Sequence, residues 1–296
     1  MNRIVGTIKA KKATPFPVSP EKMSTVYRSG RFMEIVTAMS DTLHISDYKR
    51  LSKTQYAVLS TGEICTYSPP LSHEKRTNLR KSFRNLRRII NANFTGSSSE
   101  KHIVLTYAED MHDYQKAVTD FKKFWDKFRY HYPSTAHVRI IEPRQSGTWH
   151  IHMLVKSTTG EALEISVSHV HSLWGHGLVF ANKLPATDNY GAYFSAVYTN
   201  LDDAEMAKET LSKSQIKGSR LKYYPPNIKF YTCSKGIIRP FPERMPYGIA
   251  QEIVAGTKKV FENASSIVRV DANGEEREIN RIQYQQYRIT NENGDV

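Results

Sequence analysis

The chain has 296 residues, 39% of them apolar, and carries 42 lysines and arginines against 29 aspartates and glutamates, a formal charge of +13 with a pI near 9.5. That length can bury a core, and the basic balance points to a polyanion such as nucleic acid or an anionic membrane surface, with a merely basic soluble protein as the alternative. Cys65 and Cys233, without CxxC spacing, leave no basis for a disulfide framework or zinc ribbon. No apolar run nears the roughly 20 residues of a membrane span and the start lacks a signal-peptide core, so a cytoplasmic protein with reduced thiols is expected.

Short strand-like runs, Phe32 to Thr37 and Tyr56 to Ser60, are punctuated by Pro15, Pro17, Pro20 and Pro69-Pro70 and suggest an N-terminal accessory region. From His73 to Asn93, Leu79, Phe83, Leu86 and Ile90 recur at helical spacing beside a stripe of Arg76, Arg80, Arg84 and Arg87, which predicts a basic amphipathic helix. A solvated charged face, a membrane-surface helix and a helix laid against phosphates all fit it. The polar stretch Phe94 to Ser99 looks like a linker and puts a boundary near residue 98. Residues 1–98 and 236–296 are then accessory regions flanking a central domain, 99–235.

His102 to Tyr107 predicts a buried strand. Tyr114, Val118, Phe121, Trp125 and Phe128 then mark one apolar face of a helix over about 111–130, a core stripe rather than a cofactor box.

Val138 to Ile141 and Trp149 to Val155 are β-branched, apolar and aromatic, with Arg144-Gln145-Ser146-Gly147-Thr148 as turn material between them, so a β-hairpin is expected. Side chains alternate along a strand, which puts His150 and His152 on one face and Ile151, Met153 and Val155 on the other. With the turn centred on Ser146 or Gly147, Glu142 falls opposite His150 or His152 and shares their face. Two imidazoles and a carboxylate bind a divalent ion and leave coordination positions open, as a Lewis-acid catalytic site requires. A His-x-His in a strand also occurs as two surface or capped histidines, and that alternative stands beside the metal site.

Beyond the hairpin come a short helix near Val167 to Trp174 and an apolar run, Leu178-Val179-Phe180. Strand, helix, two strands, helix and strand make an α+β domain with a central antiparallel sheet and helices packed on it. His169, His171 and His176 form a second cluster, but a helix turns residues i and i+2 apart, which argues against a metal there. Thr187-Asp188-Asn189 offers caps for a helix containing Tyr190, Tyr193 and Tyr198, and a charged helix-like piece, Asp202 to Lys213, follows. The basic, aromatic segment Gly218 to Pro226 precedes a strand from Ile228 to Cys233, and the tail shows a turn at Asn273-Gly274. No Gly-x-x-x-x-Gly-Lys-Ser/Thr occurs, so a fused P-loop helicase is unsupported.

These motifs together resemble the HUH endonucleases, in which a His-hydrophobe-His strand binds a divalent metal and a helical tyrosine cuts single-stranded DNA. His150-Ile151-His152 is that pattern, and Glu142 stands eight residues before His150, where replication initiators of the family carry an acidic third ligand. Ile103 to Tyr107 is similar to their first motif strand. More narrowly, Leu173-Trp174-Gly175-His176-Gly177, Asp188 to Ala196 and Lys217 to Pro226 resemble rolling-circle replication initiators of Gram-positive plasmids and related mobile elements, over about residues 75 to 240.

The resemblance implies a ferredoxin- or RRM-like sheet, Mg²⁺ or Mn²⁺ held by Glu142, His150 and His152, and Tyr193 as the nucleophile, matched through Gly191-Ala192-Tyr193. The lysine often found three residues later is Ala196 here. It also implies a 5′-phosphotyrosyl product, single-stranded or supercoiled origin DNA as substrate, host helicase and polymerase as partners, and no membrane. Arg76, Arg80, Arg84, Arg87, Arg220, Lys222, Tyr223 and Tyr224 are then expected to hold the strand by charge and base stacking. A relaxase or transposase of the same superfamily and a non-catalytic nucleic-acid-binding module are the alternatives.

Overall fold

A computed structural model describes residues 7–40, 48–52, 55–58, 64–66, 72–184, 223–225, 228–270 and 274–289. In chain order the first elements are strands β1 (Thr7–Ala13), β2 (Met23–Ser29), β3 (Phe32–Ala38), β4 (Tyr48–Arg50), β5 (Gln55–Val58) and β6 (Ile64–Thr66). Next come α1 (Ser72–Asn93), β7 (Glu100–Leu105), α2 (Tyr114–His131), β8 (Thr135–Pro143), β9 (Trp149–Ser157), α3 (Val167–Trp174), β10 (Val179–Lys183) and β11 (Tyr231–Cys233). The last are β12 (Glu243–Pro246), α4 (Tyr247–Ile253), β13 (Lys258–Val270) and β14 (Glu276–Arg288). The chain divides into two compact units, residues 72–239 and residues 1–71 with 240–296.

The 72–239 unit is built on a five-stranded sheet of order β10-β7-β9-β8-β11, every neighbouring pair antiparallel. From β7 to β10 the chain runs strand, helix, strand, strand, helix, strand. With β10-β7-β9-β8 as the spatial order, this is the βαββαβ arrangement of ferredoxin-like folds, extended by β11. The α+β architecture expected from the residues is the one present.

Asp113 caps α2 by accepting from the Lys116 backbone N–H, and helical spacing brings Phe121, Phe124 and Phe128 onto one buried face. Trp125 and Phe121 of that helix pack on His137 of β8, and Trp174 of α3 meets Phe124, so α2 and α3 share a face of the sheet. Ile103, Ile141, Ile151 and Met153 are fully buried there. The opposite face holds Val138, Ile140, Leu154 and Lys156 at the alternate positions, and Asn93 at the end of α1 accepts from the Lys156 ammonium (2.9 Å). Covered from both sides, β8 shows almost continuous burial.

The expected boundary near residue 98 lies inside this unit. Phe83, Leu86, Ile89 and Ile90 of α1 are buried in the same core as the strands. The polar stretch after the helix folds back as a tight turn in which the buried Glu100 carboxylate accepts from the backbone N–H groups of Thr95 and Gly96.

The other unit joins the two flanks, expected as separate regions, in one six-stranded antiparallel sheet of order β1-β13-β14-β3-β2-β12; β4, β5 and β6 form a small sheet of their own. Its apolar core is small, with Val26, Met33, Ile35 and Tyr287 packed with Ala250 of α4 and with Val254, which caps that helix. Polar side chains of the sheet bond to one another, buried Ser24 to buried Thr37 (2.6 Å) and buried Gln285 to the half-buried Glu262 (2.7 Å). Strands with so many buried polar residues carry little periodic signal, and three of the pairings, β1 with β13, β2 with β12 and β3 with β14, join segments more than two hundred residues apart in the chain. Among the described residues no helix is long and apolar enough to cross a membrane.

Candidate metal centre

β8 and β9 pair from Thr135↔Ser157 to Pro143↔Trp149, which sets Glu142 directly opposite His150, and Ile140 opposite His152. The two-residue period then places Glu142, His150 and His152 together on the face that carries neither α2 nor α3. The connection is closed by the Arg144 N–H donating to the Thr148 carbonyl (2.7 Å) and the Gly147 N–H to the Arg144 carbonyl (3.0 Å). Gly147 takes φ +87°, and a Cβ there would stand 2.9 Å from the Tyr223 ring. That ring in turn donates its hydroxyl to the Gln145 carbonyl (3.2 Å).

The start of β9 is clamped as well. Trp149 donates its backbone N–H to the Met111 carbonyl and its indole N–H to the His112 carbonyl, and its ring packs between Tyr114 and Tyr224. The turn and the strand that leaves it are therefore held before any ligand arrives, which is the condition for a preorganised site.

At the centre, Nε2 of His150 and Nε2 of His152 lie 2.9 Å apart, and Glu142 Oε2 lies 3.4 Å from His152 Nε2. One ligand atom from each of the three residues falls within 4.8 Å of the others. Glu142 is 5% exposed and the two histidines are half-buried. Lone-pair atoms turned toward one another away from bulk water are unfavourable unless a proton or cation lies among them. Two imidazole nitrogens and a carboxylate are a donor set for a divalent transition-type or Mg²⁺-like ion, and three donors leave positions for other oxygens. The residues fit such an ion.

His102 on β7 is not among the ligands expected from the sequence. Its Nε2 lies 2.9 Å from Nδ1 of His152, the ring nitrogen turned away from Glu142. The only trace of it in the sequence is strand parity, which cannot by itself say that β7 lies beside β9.

The remaining expected site residues separate. Tyr193, Arg220 and Lys222 lie outside the described residues. Arg76 and Arg80 are on α1 where only the backbone is described; Arg84 is exposed on that helix and Arg87 partly so. Tyr223 is half-buried over Gly147. Tyr224 is 8% exposed and donates its hydroxyl to the Ile141 carbonyl (2.9 Å), so its ring fills the core under the hairpin instead of offering a face to a base. His169 and His176 part company: the first lies 3.2 Å from the Tyr132 hydroxyl, the second 3.8 Å from the buried Asp120 carboxylate. Among the described residues, the trio of Glu142, His150 and His152 is the cluster that could hold an ion.

No curated protein and no solved structure matches the chain. Residues 100–201, a span that starts with β7 and includes Glu142, His150 and His152, match a family model described as a replication-associated protein, so this third of the chain is similar to replication-associated proteins.

Proposed function

We propose that the protein is a site-specific endonuclease and ligase for single-stranded DNA that opens a replication origin to start rolling-circle replication. The observation that carries this reading is the convergence of Glu142, His150 and His152 on one face of a βαββαβ sheet, inside the segment similar to replication-associated proteins. Charge supports it: residues 72–239 hold 25 lysines and arginines against 15 aspartates and glutamates, a difference of 10 out of the chain's +13. An excess of that sign attracts a phosphate backbone.

In this reading Glu142, His150 and His152 hold Mg²⁺ or Mn²⁺, each histidine through Nε2. When bound, such an ion supplies Lewis-acid polarisation of a phosphate oxygen. Tyr193 is the nucleophile: its phenol oxygen bonds to phosphorus as its proton passes to water, the bond from phosphorus to the 3′ oxygen breaks, and that oxygen takes up a proton from water. The 5′ phosphate ends as an ester on Tyr193, and the released 3′-hydroxyl is a primer end for a host polymerase. The ester conserves the phosphodiester bond energy, so the reverse attack rejoins the strand without ATP. Arg84 and Arg87, with Arg220 and Lys222, contribute positive charge along the strand, and a host helicase supplies unwinding.

The test is an origin-containing oligonucleotide incubated with the full chain and Mn²⁺, read on a denaturing gel. Wild type becomes covalently attached to the 5′ phosphate at the nick and Tyr193→Phe does not. Attachment that persists in the phenylalanine variant moves the nucleophile elsewhere, and tight binding without cleavage by wild type makes the protein a binding module.

A further inference from the structure

We propose that His102 is a positioning residue that fixes the tautomer and ring orientation of His152, presenting its Nε2 to Glu142 and His150. The proposal rests on the metal-centre reading above and adds a residue to it.

His102 sits on β7, diagonal to His152, whose direct partner on that strand is Val104. Residues two apart on a strand share a face, so His102 and Val104 lie on the side of the sheet that carries the cluster. The two rings are within 21° of one plane with centroids 5.1 Å apart, and the facing nitrogens are 2.9 Å apart. The imidazoles therefore meet edge to edge along one N···N line, as a hydrogen bond between them requires.

A neutral imidazole has one N–H and one lone pair, and which nitrogen carries the proton is set by what the other faces. His152 Nε2 faces His150 Nε2 and Glu142 Oε2. To bind a cation there it must present its lone pair, so its proton belongs on Nδ1. The atom in line with that Nδ1 is Nε2 of His102, which accepts the bond when its own proton is on Nδ1. One assignment of protons satisfies both rings. The alternative, His102 as a fourth ligand, conflicts with the geometry, since its Nε2 points at the side of the His152 ring away from the carboxylate. Partners of this kind hold a ligand's ring in place and raise its basicity, and their loss costs roughly 10- to 100-fold in metal affinity.

The test is a titration of Mn²⁺ into the full chain, with free Mn²⁺ counted by electron paramagnetic resonance and thermal unfolding recorded beside it. His102→Ala is expected to weaken binding about 10- to 100-fold. His102→Gln, whose side-chain oxygen reaches the place of Nε2 as an acceptor, is expected to restore most of that affinity. His150→Ala serves as the reference that removes a ligand outright. If His102→Ala binds Mn²⁺ as wild type does while His150→Ala does not, the positioning role is wrong and the metal centre stands. A loss in His102→Ala that glutamine leaves unrepaired also overturns the hydrogen-bond role. If wild type takes up no Mn²⁺, or His150→Ala binds as well as wild type, the metal centre itself fails and the positioning role with it.

Discussion

Two segments of this chain carry the same motif, His-x-His, and do opposite things with it. In β9, His150 and His152 flank the buried Ile151 and bring their Nε2 atoms to 2.9 Å. In α3, His169 and His171 flank the buried Val170; His169 leans on the His131 ring and the Tyr132 hydroxyl, while His171 is exposed to solvent. A strand repeats every two residues and a helix every 3.6, so identical spacing converges in one and diverges in the other. A metal motif is thus a statement about backbone periodicity as much as about residue type. The strand version also needs a third donor, and β8 delivers Glu142 only because the register puts it opposite His150.

The contrast is broken most visibly at the proposed ligands. Glu142→Ala or His150→Ala is expected to take Mn²⁺ uptake and oligonucleotide nicking below detection in the same assays, with the fold checked by circular dichroism. If either variant still nicks at the wild-type rate, the strand pair is no more a metal site than the helical pair.

A third histidine sharpens the contrast between the two faces of the sheet. His137 of β8 is packed on Trp125 and Phe121 (3.9 and 5.3 Å between ring centroids); burial, and then the Arg139 guanidinium, push its pKa down to about 3. The unfolded chain takes up a proton near pH 6.5 that the folded chain refuses until about pH 3, so stability is full above 6.5 and declines as pH falls through that window. Between pH 7 and pH 5 the share of this one residue is about 2 kcal/mol. Urea denaturation at the two pH values measures it, and His137→Leu is expected to remove that share of the dependence.

Next in size is the hairpin turn. Gly147→Ala puts a Cβ at φ +87° and 2.9 Å from the Tyr223 ring, for a loss of about 1–2 kcal/mol in thermal or urea unfolding. Adding Tyr223→Ala relieves the clash and leaves the backbone strain, so the two changes are expected to be non-additive. At the bottom of the scale, His169→Ala with His171→Ala is expected to leave Mn²⁺ affinity unchanged. A fall in affinity would mean that α3 takes part in the site.

Much of this was legible in the residues. α3 spans Val167–Trp174, the bounds expected from its pattern, because Ser166 caps it and Gly175 ends it in the left-handed region at φ 67°. The hairpin, the shared face of Glu142, His150 and His152, and the βαββαβ order follow from alternation and turn chemistry. Less legible was anything depending on which distant segments meet. Tyr224 has the look of a base-stacking residue until its hydroxyl is seen bonded to Ile141, and the paired flanks rest on strands such as β14, whose buried Gln283, Gln285 and Gln286 read as surface.

Periodicity and residue chemistry alone determined the local elements and which three donor side chains could share a face, because a backbone period and a donor atom are properties of neighbouring residues. Tertiary structure alone decided that Glu142 faces His150, that His102 meets the far nitrogen of His152, that α1 belongs to the sheet's core, and that the two ends of the chain share a sheet. Those contacts are selected by register and by the burial of whole faces, which are properties of the folded chain and of no single stretch of it.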